Sequence, residues 1–338
     1  MKYTHRIRRR KRQTQPLPAT TRRRINCSPV IEGKRATPQT CMPLSLLRKV
    51  RDEYNHKRRG NAPPITETTP NELFAALQSR FTTCPDERCW IDRTITDDNI
   101  RGKIKNTLFA PLQPLKWQTN HVAWLSNDEL RLVLDQYETR YPKFTLLGST
   151  YMNFTTVVNN QCLGDELCNF SLQKQVSRGK TKMAMIINLA YYPKKGTHWV
   201  SMFIDVDEHY IFFFDSNGAP IPKDMAAFRD VVIAQGKNMF PPVHFNFYQN
   251  YPKIHQSSNT ECGMYALFFV ITMLTNVAES PPNANGSPGK TRKLDTVVSK
   301  VRFFRTNRIP DRYVQQFRNI YFNVPAAAPA ATTLMSTT

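Results

Sequence analysis

The 338 residues are 40% hydrophobic and 11% aromatic, enough to bury a sizeable core, and 47 Lys/Arg against 26 Asp/Glu give a net charge of +21. The longest strongly apolar run, Met264 to Leu274, falls short of the ~20 residues a membrane-spanning helix needs, and the N-terminus, MKYTHRIRRRKRQ, has no apolar secretory segment. Residues 1–60 hold 18 Lys/Arg against 3 Asp/Glu, or +15 of the total, so the basicity belongs to an appended arm, not to the folded body. Seven cysteines, an odd number at irregular spacing, read as mostly free thiols in a soluble protein of a reducing compartment.

The arm and its linker extend over 1–70 and close with GNAPPITETTP (60–70), rich in Pro and Thr. ELFAALQSRF (72–81) predicts a short amphipathic helix within a helical extension over 71–120. Ser126 followed by Glu129 predicts a capping box at the head of NDELRLVLDQYETRY, and Pro142 ends that helix. Residues 155–182 are polar and irregular and read as a surface loop. MAMIINL (183–189), WVSMFID (199–205) and YIFFF (210–214) have the length and composition of buried strands. KDMAAFRDVVIAQG (223–236) reads as a helix with Gly236 as its C-terminal stop, and VHFNFY (243–248) alternates like a strand. CGMYALFFV (262–270) is apolar on every side, so as a helix it must be buried. SPPNANGSPGKTRK (280–293) reads as a flexible loop, IPDRYVQQFRNIYF (309–322) as a last helix, and 324–338 as a low-complexity tail. This order predicts an α+β domain over 121–323.

Cys262 stands where a polar loop, HQSSNTE, meets the buried helix. A helix head presents unpaired backbone N–H groups and the positive end of the dipole, which favour thiolate and offer donors to an anion. Against this, free Cys is among the most buried residue types and is often inert. A nucleophilic thiol needs an imidazole, and His198 is the best placed of seven histidines. If WVSMFID and YIFFF form an antiparallel hairpin turning at Val206-Asp207, His198 faces Asp215, about 5 Å away at Cβ. An acid there fixes the tautomer and stabilises the imidazolium. The alternatives are an edge histidine and, in DSNG (215–218), a simple turn aspartate. His255, in the loop before the thiol, is the main rival, although no acid is placed to orient it; His121 likewise lacks one. Gln256, six residues before the thiol, would supply a side-chain donor to an oxyanion beside the Cys262 N–H. Cys84-x4-Cys89 and Cys162-x5-Cys168 sit at or beyond the long end of zinc-ligand spacing, so no metal site is assigned.

"THWVSMFID…YIFFFDSNG" and "HQSSNTECGMYALFFV" resemble the adenain-like clan of cysteine peptidases, which includes SUMO-deconjugating proteases and the virion-maturation proteases of adenoviruses and large DNA viruses. The family order, His, then Asp or Asn, then Gln shortly before Cys, falls here on His198, Asp215, Gln256 and Cys262, and Trp199 directly after the His matches the family habit. The resemblance covers 198–270 strongly and extends over about 124–322, including "WLSNDELRLVLDQYETRYPKF"; "ERCWID" (87–92) is a weaker echo. It implies a central mixed β-sheet flanked by helices, behind an N-terminal basic extension. It also implies thiol attack after a small residue at Gly-Gly-X or Gly-X-Gly type sites, with Trp199 lining a narrow substrate channel. No cofactor is required for that chemistry; activation by DNA or a peptide is left open.

Three functions follow. As a virion-maturation endopeptidase the protein would cut capsid or core precursors, in the virion and the host cytoplasm at viral factories, with DNA held by the basic arm. As a deconjugase of ubiquitin-like proteins it would need a surface for a folded modifier, and the arm would serve as a nuclear signal. As a non-enzyme it would be a basic nucleic-acid-binding virion component. An intact Cys–His pair separates the first two from the third. No membrane partner is expected.

Overall fold

The computed structural model describes residues 25–31, 34–57, 62–280 and 289–325. The basic head of the arm, 1–24, therefore lies outside the described residues, as do 281–288 of the expected flexible loop and 326–338 of the tail. Two compact units are present, one holding Ile31–Phe109 with Cys27 and one holding Ala110–Pro325.

The first unit contains α1 (Leu44–Lys57), α2 (Pro70–Arg80), α3 (Glu87–Thr94) and α4 (Asp98–Leu108). Helix α1 corrects the expectation of an arm and linker through residue 70. Leu47 and Val50 are buried with Leu73 and Leu77 of α2 and Trp90 and Ile91 of α3. The charge of LSLLRKVRDEYNHK concealed its helical spacing of apolar residues. The Pro/Thr-rich stretch is anchored as well: the Asn55 side chain donates to the Ile65 carbonyl and accepts from its N–H, both at 2.9 Å. This unit ends at Phe109, not at residue 120.

Cysteine pairing overturns the expectation of mostly free thiols. Cys27–Cys41, Cys84–Cys89 and Cys162–Cys168 are disulfides, and Cys262 alone is free. Each bridge closes a short loop of 5 to 14 residues, where the chain itself keeps the partners close. The cysteines thus no longer argue for a reducing compartment, and the four weighed as zinc ligands are bound to one another. A thiol assay in denaturant without reductant therefore reads one thiol per chain, and seven after reduction; seven in both conditions would contradict the pairing.

The second unit opens with α5 (Asn127–Arg140), whose capping box is formed by Ser126 and Glu129 as the sequence predicts. There follow β1 (Phe144–Tyr151), the small hairpin β2 (Val157–Val158) and β3 (Gln161–Cys162), and α6 (Leu172–Ser177). Next come β4 (Lys182–Asn188), β5 (Trp199–Asp205), β6 (Tyr210–Phe214), α7 (Lys223–Lys237) and β7 (Asn246–Gln249). The chain then forms α8 (Cys262–Thr275), the short pair β8 (Val277–Glu279) and β9 (Thr291–Lys293), α9 (Val297–Thr306), α10 (Asp311–Gln316) and α11 (Arg318–Tyr321).

One sheet runs β1-β4-β5-β6-β7, antiparallel at β4–β5 and β5–β6 and parallel at both outer pairs, which makes it mixed. Its strands feed two cores. Ala184, Ile186, Phe203, Phe212 and Phe214 pack with α8 and α9 residues on one face, while Met183, Met185, Met202, Ile211 and Phe213 pack with Met225, Phe228 and Val232 of α7 on the other. Burial on both faces is why these strands read as unbroken apolar runs. Helix α8 is buried from Cys262 through Leu274, as an apolar cylinder must be, and Asn276 closes it in the left-handed region at φ 60°. Among the described residues no helix is long and apolar enough to cross a membrane.

Other expectations need correction. Strand β1 was not anticipated, and the supposed loop 155–182 contains a hairpin and a helix. The last helix is broken into α10 and α11. Gly236 lies inside α7; a Cβ there would sit 2.7 Å from the Val243 carbonyl and the Phe245 ring, so it is small for close packing and does not stop the helix. The β5–β6 hairpin turns over four residues, Val206–His209, with His209 at φ 55°. Its pairs, Ser201 with Phe214 through Asp205 with Tyr210, lie one step from the expected register. Continued past the ladder, that register sets His198 opposite Asn217 and makes Asp215 its diagonal neighbour on the same face.

Candidate active site

His198 lies immediately before β5, where its carbonyl accepts the Leu189 N–H at 2.8 Å and extends the β4 ladder. Asp215 follows β6. Sheet pairing thus fixes both backbones, and the imidazole Nε2 meets Asp215 Oδ1 at 2.6 Å, with side-chain exposures of 10% and 3%. Asp215 is anchored through its backbone and its Oδ1. Asn250, fully buried just after β7, accepts the Asp215 N–H at 2.9 Å and donates to its carbonyl at 2.7 Å. The Asn217 N–H donates to Oδ1 at 2.8 Å.

Cys262 is the first residue of α8 and is 2% exposed. With Nε2 taken by Asp215, Nδ1 is the ring nitrogen left for the thiol. Burial pushes the pKa of His198 down, but the hydrogen bonds of Asp215 and then Cys262, with the charges of both, outweigh it and raise the pKa to about 9. Gly263 admits a close neighbour, since a Cβ there would lie 3.0 Å from Leu125 Cβ. The Leu125 carbonyl accepts the Trp199 indole N–H at 3.1 Å. Trp199 is itself only 6% exposed and packs in the core, whereas Trp124, beside Leu125, is 42% exposed.

The loop before the thiol is fastened to the C-terminal helices. Its Ser257 and Ser258 N–H groups donate to the Asp311 carboxylate, the latter at 2.8 Å. His255, the rival imidazole, is fully buried, donates from Nε2 to the Phe304 carbonyl at 2.9 Å and accepts the Ile309 N–H on Nδ1 at 3.1 Å. Burial drives its pKa down to about 4. Both of its nitrogens are occupied by backbone, so it is a neutral structural residue. Exposed His121 meets no acid in any described hydrogen bond or ion pair.

Gln256 is 5% exposed and its amide is tied at both ends: Oε1 accepts the Ser216 hydroxyl at 2.7 Å, and Nε2 donates to the Ser258 carbonyl at 2.6 Å. Directly before the thiol, Glu261 is fully buried and paired with Arg318 of α11, whose Nη2 and Nε lie 3.0 and 3.1 Å from Glu261 Oε2. Ser216, Asn250 and Arg318 escaped the sequence reading. Ser216 was read only as part of a turn, and the other two are joined to the site from 35 and 57 residues away. Among the described residues no group of three His, Cys, Asp or Glu side chains could hold a metal.

Residues 173–285, which include His198, Asp215, Gln256 and Cys262, match the Ulp1 protease family, C-terminal catalytic domain. That segment is similar to the Ulp1 catalytic domain over 173–285. Its relatives are viral thiol proteases. A protein of Acanthamoeba polyphaga mimivirus named as a thiol protease is 24% identical over 239 residues, 70% of this chain and 68% of that protein. A cysteine protease of African swine fever virus is 27% identical over 231 residues, 63% of this chain and 82% of the viral one. The crystal structure of an African swine fever virus protease shares the fold of this chain at a TM-score of 0.55 and 20% identity, covering 80% of this chain and 95% of that one.

Proposed function

We propose that the protein is a viral cysteine endopeptidase in which Cys262, His198 and Asp215 form the catalytic triad. The observation that carries this reading is the buried 2.6 Å contact between His198 and Asp215, beside the one free thiol of the chain at the head of a helix. His198 takes the proton of Cys262 on Nδ1, and the sulfur attacks the scissile carbonyl. The Cys262 backbone N–H and the Gln256 amide receive the resulting oxyanion. As the tetrahedral adduct collapses, the imidazolium gives its proton to the leaving amine, leaving a thioester. Water, deprotonated by the same ring, then hydrolyses the thioester and restores the thiol.

The substrates proposed are capsid or core precursors cut after small residues, at Gly-Gly-X or Gly-X-Gly sites, in the virion or at cytoplasmic viral factories. The similarity to viral proteases supports this choice. Incubating the purified enzyme with the structural proteins of its virus and mapping new N-termini tests it: cuts after small residues in several of them support maturation. A second reading, deconjugation of a ubiquitin-like modifier, is favoured by the Ulp1 family match and by African swine fever virus relatives named SUMO-1 cysteine protease. Cleavage confined to conjugated modifiers would select it.

Acid–base behaviour follows from the raised pKa of His198. The ring works in its protonated form and loses that proton as pH rises through about 9. kcat/KM therefore declines near pH 9, and Asp215→Asn moves that alkaline limb to lower pH, because it removes the principal group holding the ring's proton. A limb unmoved by Asp215→Asn in the pH–rate profile would contradict the pairing.

The ten Lys/Arg and absence of Asp/Glu in residues 1–24 support a DNA contact by this arm. Deleting 1–24 lowers DNA affinity and flattens its dependence on salt, by a slope of about 0.9 for each phosphate that the arm neutralises. Unchanged binding in a salt titration would remove the arm from the interface.

A further inference from the structure

The turn that supplies Asp215 also supplies the residue after it, and Ser216 has a separate task. Its hydroxyl is within 2.7 Å of Gln256 Oε1, and Ser216 is 1% exposed. Its carbonyl accepts the N–H groups of both His255 and Gln256 at 2.9 Å. At the far end of the amide stands the Ser258 carbonyl, 2.6 Å from Nε2. A carbonyl can only accept, so that end of the amide must be the nitrogen, and the end facing Ser216 must be the oxygen. The serine hydroxyl is thereby fixed as a donor. One N–H of Nε2 goes to Ser258, and the orientation leaves the second to donate elsewhere.

We infer that Ser216 is a positioning residue for the oxyanion site, locking the Gln256 amide with its nitrogen as the donor end. This rests on the reading of Gln256 as an oxyanion donor. A preorganised donor is effective because it need not reorient as charge develops. A flipped amide would turn a carbonyl oxygen toward the anion. Without the hydroxyl, Oε1 would be buried and unpaired, and the Ser258 contact alone would hold the side chain. Two adjacent residues of one turn thus orient two different parts of the chemistry: Asp215 the general base, Ser216 the electrophilic donor. They are separable, because Asp215 is fixed by Asn250 and Asn217 N–H, neither of which involves the Ser216 hydroxyl.

The test is a double-mutant cycle on a Gly-Gly-coumarin peptide, together with the rate of Cys262 alkylation by iodoacetamide. Gln256→Ala lowers kcat about 100-fold. Ser216→Ala lowers kcat about tenfold with little change in KM, leaves alkylation at the wild-type rate, and adds no further loss in the Gln256→Ala background. Ser216→Thr, which keeps a hydroxyl, recovers part of the activity. The inference is overturned by wild-type kcat in Ser216→Ala, by an equal loss in both backgrounds, or by a matching fall in alkylation. Wild-type kcat in Gln256→Ala would instead sink the oxyanion reading on which it rests.

Discussion

Cys262→Ala abolishes peptide hydrolysis while the protein remains folded. Removing the nucleophile of a hydrolase that works through a covalent intermediate costs on the order of 10⁶ in kcat, since no other group here can take its place: the six remaining cysteines are bound in disulfides. The fold loses little, because Cys262 is 2% exposed in a helix held by Leu267, Phe268, Phe269 and their neighbours in the core, and Ala is a strong helix former. Asp215→Asn is milder but still large, roughly a 10⁴-fold fall in kcat: the amide cannot accept from Nε2–H with the same strength and no longer stabilises the imidazolium. Hydrolysis assays paired with thermal denaturation check both. Activity surviving in a folded Cys262→Ala protein would refute the proposed chemistry.

Arg318→Met destabilises the protein by about 3–5 kcal/mol, the usual cost of leaving a buried charge without its partner. The Arg318 side chain is 6% exposed and that of Glu261 not at all. Arg318 also donates to the Ala123 carbonyl at 3.0 Å and stacks 4.3 Å from the Trp117 ring centre. Glu261 draws on Gln315 at 3.3 Å and Thr260 at 3.1 Å besides. These two donors are neutral and do not replace a guanidinium. Glu261→Gln combined with Arg318→Met regains most of the stability, because the unpaired carboxylate, more than the absent hydrogen bonds, dominates the single variant. Urea unfolding of the single and double variants measures this; a change below about 1 kcal/mol in Arg318→Met would show that the pair is electrostatically unimportant.

The catalytic candidates were legible because their signals are local. His198 and Asp215 flank two strands joined by a short turn, so pairing alone brings them together even with the register one step off. Cys262 marks the change from polar loop to apolar helix. The supporting residues were hidden because their partners are fixed by tertiary packing: nothing near Asn250 in the chain announces that it brackets Asp215, and Arg318 meets Glu261 only when α11 folds back on α8. Strand β1 went unread because Gly148, Ser149 and Thr150 dilute its apolar pattern and a register shift between Leu146 and Gly148 breaks its alternation. In the first unit, charge count was mistaken for lack of structure, and α1 was missed. The disulfides were missed for another reason: spacing fixes neither the pairing nor the redox state of cysteines.

Whether His198 activates Cys262 is read most directly by mass spectrometry after treatment with a Gly-Gly peptide bearing an electrophilic vinyl group at its C-terminus. One adduct, on Cys262, is expected in the native enzyme, and almost none in a folded His198→Ala variant. Labelling of Cys262 at equal rates in both proteins would show a thiol that reacts without help from the imidazole, and would contradict the proposed mechanism.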